Sequence, residues 1–231
     1  MIDKQSSQTE SIVIQRPARQ AEQLVLLFHG VGATPQALLP LGERLAAQFP
    51  NAFIVSVAAA HPGDMGVGCQ WFSVRGISED NRPARVAVAM PAFRSAVAHW
   101  QAEARLGPTA TALIGFSQGA IMALEASTLE PACAGRVVAV AGRFAQLPPR
   151  ASPTTTLHLM HGKEDAVVPY RHTIDAAQHL ITIGGDVTAD VLPFIGHQLT
   201  DDFIALTIER LTGYVPKRLW DEAMRAAGSI G

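Results

Sequence analysis

The stretch from Ala112 to Leu124 restricts the fold more than any other. An apolar run ends in Gly115-Phe116-Ser117-Gln118-Gly119 and passes without a break into a helix-like pattern through Ala120, Ile121, Met122, Ala123 and Leu124. A chain that leaves a buried strand and enters a helix within two residues must reverse sharply. Glycines at 115 and 119 lack the β-carbon that would clash in such a turn, so Ser117 can be held in a strained and exposed position. This is the pattern of a nucleophile elbow. The competing reading is a plain helix start with Ser117 as its N-cap.

The rest of the chain supplies the sheet that such an elbow needs. Ser11–Gln15 reads as an edge strand, and Gln23–Phe28 as a buried strand that stops at His29-Gly30-Val31-Gly32. After Pro35, Leu38, Leu41, Leu45 and Phe49 recur at helical spacing up to Pro50, and Ala52–Val57 is again strand-like. Residues 58–82 carry Pro62, Gly63, Gly66, Gly68 and Gly76 and predict a long irregular excursion. From Pro83 a helix is expected with Val86, Met90, Phe93, Val97 and Trp100 on one face, kinked or split at Pro91. Further strands are expected at Arg136–Ala141, Thr154–Met160 and Asp186–Leu192, with helices over Tyr170–Ile183 and about Leu199–Leu211. Alternating strands and helices imply an α/β fold, a mostly parallel central sheet with helices on both faces.

Composition agrees. Hydrophobic residues make up 48% of the 231 and charged residues 16%, as suits strands covered on both faces. We read residues 1–231 as a single domain, with residues 1–10 a flexible N-terminus and 214–231 a C-terminal tail helix. In that tail Val215, Leu219 and Ala223 share a face beside Trp220, and the expectation is a helix packed back on its own domain rather than a dimer contact or lid. A net charge of −2 without a basic run gives nucleic acid nothing to bind. The polar start, Met1 to Glu10, does not resemble a secretory signal, and no apolar run approaches the roughly 20 residues of a membrane span. A cytoplasmic protein without a stable membrane anchor is expected, and a homodimer is left open. Cys69 and Cys133 read as free thiols.

Three strand ends carry residues whose chemistry fits together. Ser117, Asp165 and His197 follow three different strands, in the order serine, acid, histidine. A serine hydroxyl needs a base to take its proton as it attacks. An imidazole can do so and later return the proton to a leaving group, while a carboxylate fixes its tautomer. Of the eight histidines, His197 alone follows a late strand and comes after the candidate acid. His29 and His161 precede glycines at strand ends, where a ring supports a turn; His158 and His161 would point to opposite faces of their strand, so no metal is expected. Asp165, in a turn before Pro169, is preferred over Glu164, Asp186, Asp190, Asp201 and Asp202.

Acyl transfer places negative charge on the former carbonyl oxygen, so donors are required there. The backbone N–H of Gln118 and that of Val31 are the candidates, Gln118 acting through its backbone alone. Trp71, Phe72, Met65, Met122 and Phe144 are candidate substrate-binding residues, each equally plausible as core. No cofactor is called for. The expected reaction is hydrolysis of a small-molecule or lipid-like carboxylic ester, with thioesters and lysophospholipid-type esters within reach. The alternatives are peptide amide hydrolysis on the same residues, and a non-catalytic binding protein.

His29-Gly30-Val31-Gly32, Gly115-Phe116-Ser117-Gln118-Gly119-Ala120, His161-Gly162-Lys163-Glu164-Asp165 with Val168-Pro169, and Gly196-His197 together resemble the phospholipase/carboxylesterase family, which includes acyl-protein thioesterases. The resemblance runs from about residue 11 to 225. It implies the α/β-hydrolase fold, the triad Ser117, Asp165 and His197, and oxyanion donors at Val31 and Gln118. Two departures lie near the expected acyl site: Ala33 where acyl-protein thioesterases carry Asp, and Trp71-Phe72-Ser73 for their Trp-Phe-Asp. They weigh against a protein-palmitoyl substrate and leave ester hydrolysis untouched.

Overall fold

A computed structural model describes residues 9–228. The flexible start expected over residues 1–10 falls almost wholly outside the described residues, as do positions 229–231.

Among the described residues the sheet has seven strands: β1 Ile12–Gln15, β2 Gln23–Phe28, β3 Ala52–Val57, β6 Thr111–Phe116, β7 Arg136–Val140, β8 Thr156–Gly162 and β9 Val187–Leu192. Their spatial order is β1-β3-β2-β6-β7-β8-β9, with β1 antiparallel to β3 and every other pairing parallel. β2, β6, β7 and β8 are apolar and buried almost throughout, because helices cover both faces.

Alternation along each strand divides the core. Leu24, Leu26, Phe28, Val55, Leu113 and Val137 face one side with α2 (Arg82–Ala104), α3 (Gln118–Ala126) and α4 (Arg171–Thr182). Val25, Leu27, Ile54, Ile114, Val138 and Met160 face the other, against α1 (Leu39–Gln48) and α5 (Asp201–Gly213). α2 runs unbroken through Pro91, contrary to a split there. Pro91 and Ala87, whose carbonyl loses its helical partner, both lie on the exposed side, where water can replace the missing bond.

The excursion at residues 58–82 is irregular apart from a small ribbon, β4 His61–Pro62 against β5 Cys69–Gln70. Asp64 organises it. Its carboxylate accepts from Gln70 Nε2 at 2.8 Å, Ser73 Oγ at 2.7 Å, Val74 N–H at 2.8 Å and Arg75 N–H at 3.0 Å. The Ser73 and Gln70 donors hold its carboxyl well below the usual range. Cys69 ties the ribbon to the loop after β2: Gly32 N–H donates to Cys69 O at 2.9 Å, and Cys69 N–H to Ala33 O at 2.8 Å.

The tail does form a helix, α6 Lys217–Gly228, but its apolar stripe does not pack back on the body: Leu219, Trp220 and Met224 are exposed. Its start is anchored through Lys217 N–H to the Asp186 carboxylate and Arg218 to Thr154 O. Helical periodicity marks which face is apolar and is silent on what covers it. Among the described residues no helix is long and apolar enough to cross a membrane, and both cysteines are free thiols.

Candidate active site

The turn between β6 and α3 holds Ser117 at φ 53°, ψ −115°, a conformation that costs a non-glycine residue about 1–3 kcal/mol. Neighbouring backbone enforces it. Ser117 N–H donates to Val140 O at 2.9 Å, and Ser117 O accepts Ile121 N–H at 3.1 Å. Its side chain makes no capping bond, so the plain N-cap reading fails. A Cβ at Gly115 would overlap the backbone of Gly119 and Ala120, and one at Gly119 would overlap the Phe28 carbonyl, so both positions exclude a side chain. Ala141 (φ 52°) after β7 and Phe194 (φ 61°) after β9 are strained in the same sense, so left-handed residues gather at this edge of the sheet.

Ser117 Oγ–H donates to His197 Nε2 at 2.9 Å, and His197 Nδ1–H donates to Asp165 Oδ2 at 2.7 Å. The structure thus brings together the three residues singled out from sequence, each from a loop that follows a parallel strand. The Phe116 ring lies 5.2 Å from the His197 ring. Asp165 Oδ1 accepts from both Val167 N–H and Val168 N–H at 2.8 Å. Burial alone would raise the Asp165 pKa, but these donors and His197 outweigh it and hold the carboxyl below its ordinary value.

His161 braces the acid from behind. Its Nε2–H donates to Val168 O at 2.8 Å and lies 3.2 Å from Asp165 Oδ2, while Nδ1 accepts from Thr173 Oγ at 2.9 Å. Burial keeps this ring neutral by lowering its pKa. His158, on the same strand, bonds Thr188 Oγ1 instead, at 2.8 Å. Of the competing carboxylates, Asp186 is held by Thr156, Tyr214 and Lys217 and Asp190 by Arg210, while Asp201 and Asp202 lie in the first turn of α5.

A cavity of about 430 Å³ opens over Ser117 and His197. Val31, Ala33, Ala37, Leu38, Phe116, Val167 and Leu199 form its apolar walls, and among the described residues no Asp, Glu, Lys or Arg lines it. The loops that carry Val31 and Gln118 meet beside Ser117, and neither backbone N–H has an acceptor among the described residues. A larger cavity, about 780 Å³, lies between α2 and the loop before β7, next to Met90, Arg94 and Cys133 and remote from these groups; size alone does not mark the site.

The wall residues expected from sequence need correction. None of the five lines the cavity over Ser117. Met122 and Phe144 are buried in the core, Met122 because the inner face of α3 lies against the sheet. Met65 is 83% exposed on the ribbon turn. Trp71 packs edge-on against Phe28 and Phe93, and with Phe72 borders a separate cavity next to Arg85 and Val88.

A mostly parallel sheet that presents serine, histidine and aspartate side by side from the ends of three parallel strands, β6, β8 and β9, defines a hydrolase of the α/β-hydrolase fold. Residues 9–212 match the phospholipase/carboxylesterase family model, and the chain belongs to that family as a carboxylesterase-type hydrolase. It is 47% identical to esterase YpfH of Escherichia coli (strain K12) over 215 residues, 93% of each chain. Among solved structures, esterase PE8 superposes with a TM-score of 0.80 at 28% identity, covering 89% of this chain and 100% of that one. The carboxylesterase from Mesorhizobium loti, 18% identical, matches in fold with a TM-score of 0.71 over 89% of this chain and 100% of its own.

Proposed function

We propose that the protein cleaves carboxylic esters through an acyl-Ser117 intermediate. The observation that carries this reading is the unbroken contact from Ser117 Oγ through His197 to Asp165, at 2.9 and 2.7 Å, on the floor of an uncharged cavity. His197 Nε2 takes the hydroxyl proton as Oγ attacks the carbonyl carbon, and the oxygen left negative accepts from Val31 and Gln118 N–H. His197 then gives the proton to the departing alcohol oxygen as the C–O bond breaks. A water molecule loses its proton to the same nitrogen, attacks the acyl carbon, and Ser117 Oγ leaves with that proton. Asp165 stays ionised and holds His197 with Nδ1–H facing it. The apolar walls suit a neutral acyl group, so simple esters, thioesters and lysophospholipid-type esters form the substrate field.

Treatment with a fluorophosphonate and intact mass measurement tests the nucleophile. One adduct on the wild type, absent from Ser117→Ala, is expected; an adduct that persists in the variant refutes it. Parallel assays on p-nitrophenyl esters of increasing chain length and on peptide amides are expected to give ester turnover with a chain-length optimum. A flat series would contradict a defined acyl pocket.

A further inference from the structure

The two oxyanion donors belong to separate segments, one to the loop after β2 and one to the first residue of α3. They serve a transition state only if their spacing is fixed, and three buried side chains join the segments. The Gln118 carboxamide pairs with loop backbone: Oε1 accepts Trp71 N–H at 2.8 Å, and Nε2–H donates to Phe72 O at 2.7 Å. The Trp71 indole N–H in turn donates to His29 O at 2.8 Å. The His29 ring closes the series, with Nδ1–H donating to Gly30 O at 2.8 Å and Nε2 accepting Ala59 N–H at 3.2 Å.

Exposure of these residues is 3% for Gln118, 5% for Trp71 and 0% for His29, and all three are hydrogen-bonded at every side-chain nitrogen and oxygen. A fully satisfied buried polar network rigidifies the segments it joins. Burial lowers the His29 pKa, and a neutral ring with one donor and one acceptor nitrogen is what the two contacts require. A trans peptide points its C=O and N–H in opposite directions. With Gly30 C=O held by the His29 ring and by Ala33 N–H at 3.3 Å, the Val31 N–H of the same peptide is turned the other way. On the facing side, Gly119 brings α3 so close to β2 that a Cβ there would lie 2.8 Å from His29 O.

We propose that Gln118, Trp71 and His29 are positioning residues for ester hydrolysis, forming one hydrogen-bonded relay that fixes the Val31 and Gln118 N–H donors relative to each other. The proposal rests on the reading of Ser117 as nucleophile. A relay of this kind acts on the tetrahedral oxygen and not on substrate binding, so its loss lowers kcat and leaves KM in place. Complete loss of one donor typically costs about 10²–10³ in rate, so a displaced donor is expected to cost about 10–100-fold.

Trp71→Phe keeps an aromatic ring against Phe28 and Phe93, though a smaller one, and removes the indole donor. His29→Gln places an acceptor near the Nε2 position and loses the bond to Gly30 O, whereas His29→Asn keeps a donor near Nδ1 and loses the bond to Ala59 N–H. Both His29 variants lose the imidazole, and Asn, one methylene shorter at a fully buried position, leaves the larger void, so packing alone would favour His29→Gln, opposite to the kcat order expected of the relay. Trp71→Phe and His29→Gln are expected to lower kcat about 10–100-fold with KM within about twofold, and to weaken a trifluoromethyl ketone inhibitor by the same factor as kcat/KM; His29→Asn is expected to retain at least about fivefold more kcat than His29→Gln. Equal kcat in the two His29 variants, kcat near wild type in Trp71→Phe, or a loss confined to KM would overturn the relay. Fluorophosphonate labelling of the wild type is run first: an unlabelled Ser117 refutes the nucleophile, while a labelled wild type with unimpaired variants refutes the relay alone.

Discussion

Asp165→Asn is the change whose effect the geometry defines most closely, because every contact of the carboxylate is with a donor. Oδ1 receives Val167 and Val168 N–H, and Oδ2 receives His197 Nδ1–H with His161 Nε2 3.2 Å away. A carboxamide keeps one acceptor and gains a donor, so it has two ways to sit. With its oxygen toward Val167 and Val168, both backbone bonds survive. Its NH2 then faces His197, whose ring must accept and so carries its proton on Nε2, pointing at Ser117 where a base is needed. In the flipped orientation the imidazole keeps the productive tautomer, but two partly buried N–H groups face an NH2 and lose their acceptor. At about 1–3 kcal/mol per orphaned group, the flip costs about 2–6 kcal/mol.

At about 1.4 kcal/mol per factor of ten, the productive form is therefore about 30- to 10⁴-fold rarer than the inactive one. Loss of the negative charge beside the imidazolium adds to this, so kcat on a p-nitrophenyl ester at neutral pH is expected to fall about 10³–10⁴-fold with KM little changed. The equivalent change in a characterised serine protease costs about 10⁴. Fluorophosphonate labelling should slow in proportion, since it depends on the same proton transfer. A variant that keeps kcat within tenfold of wild type would show that His197 does not depend on Asp165 for its tautomer.

Two further expectations concern the frame. Gly119→Ala forces a methyl group onto the Phe28 and His29 carbonyls, backbone atoms that cannot yield cheaply, so the unfolding free energy is expected to fall by at least the roughly 1–3 kcal/mol typical of overpacking, read as a lower urea midpoint, with kcat of the folded fraction falling too; an unchanged midpoint and kcat would contradict the close approach. Burial first, and then the Arg136 and Arg210 charges, lower the His158 pKa to about 4 from 6.5, so between these values the unfolded chain binds a proton that the native ring refuses. Stability from this site is whole above about pH 6.5 and declines by at most about 3 kcal/mol as pH falls to about 4. His158→Asn, which retains a partner for Thr188, is expected to flatten urea midpoints compared at pH 7 and 4.5. Parallel curves for variant and wild type would refute this.

The features readable from sequence are those whose cause is local. Gly115 must be glycine because of the Gly119 and Ala120 backbone within the elbow, and the apolar run before it marks the strand without reference to other segments; Gly119, whose side chain is excluded by the Phe28 and His29 carbonyls, distant in sequence, is legible through the elbow motif. Ser117, Asp165 and His197 follow parallel strands, so strand order alone brings them to one edge. The support expected from His29 is partly local as well, since its first bond reaches the next residue. What escaped was the Gln118 side chain, expected to be idle: its partners at Trp71 and Phe72 lie 47 and 46 positions away, and nothing near Gln118 encodes them.

The same division explains the misplaced substrate wall. Trp71, Phe72, Met122 and Phe144 were candidates because they are large and apolar, but size and hydropathy suit core and cavity alike. The observed wall, Phe116 apart, uses smaller residues from separate segments: Ala33 and Ala37 before α1, Val167 in the acid loop and Leu199 after His197, with Phe116 on the elbow. Each is unremarkable in its own stretch. They become a wall because the loops after β2, β6, β8 and β9 converge where the parallel strands end, and the catalytic contacts fix how closely those loops approach. On the proposed function, substrate choice is set by the loops that the Ser117–His197–Asp165 and Gln118 contacts hold together, and changes at Ala33 or Ala37 are expected to reshape this cavity without touching the reacting atoms.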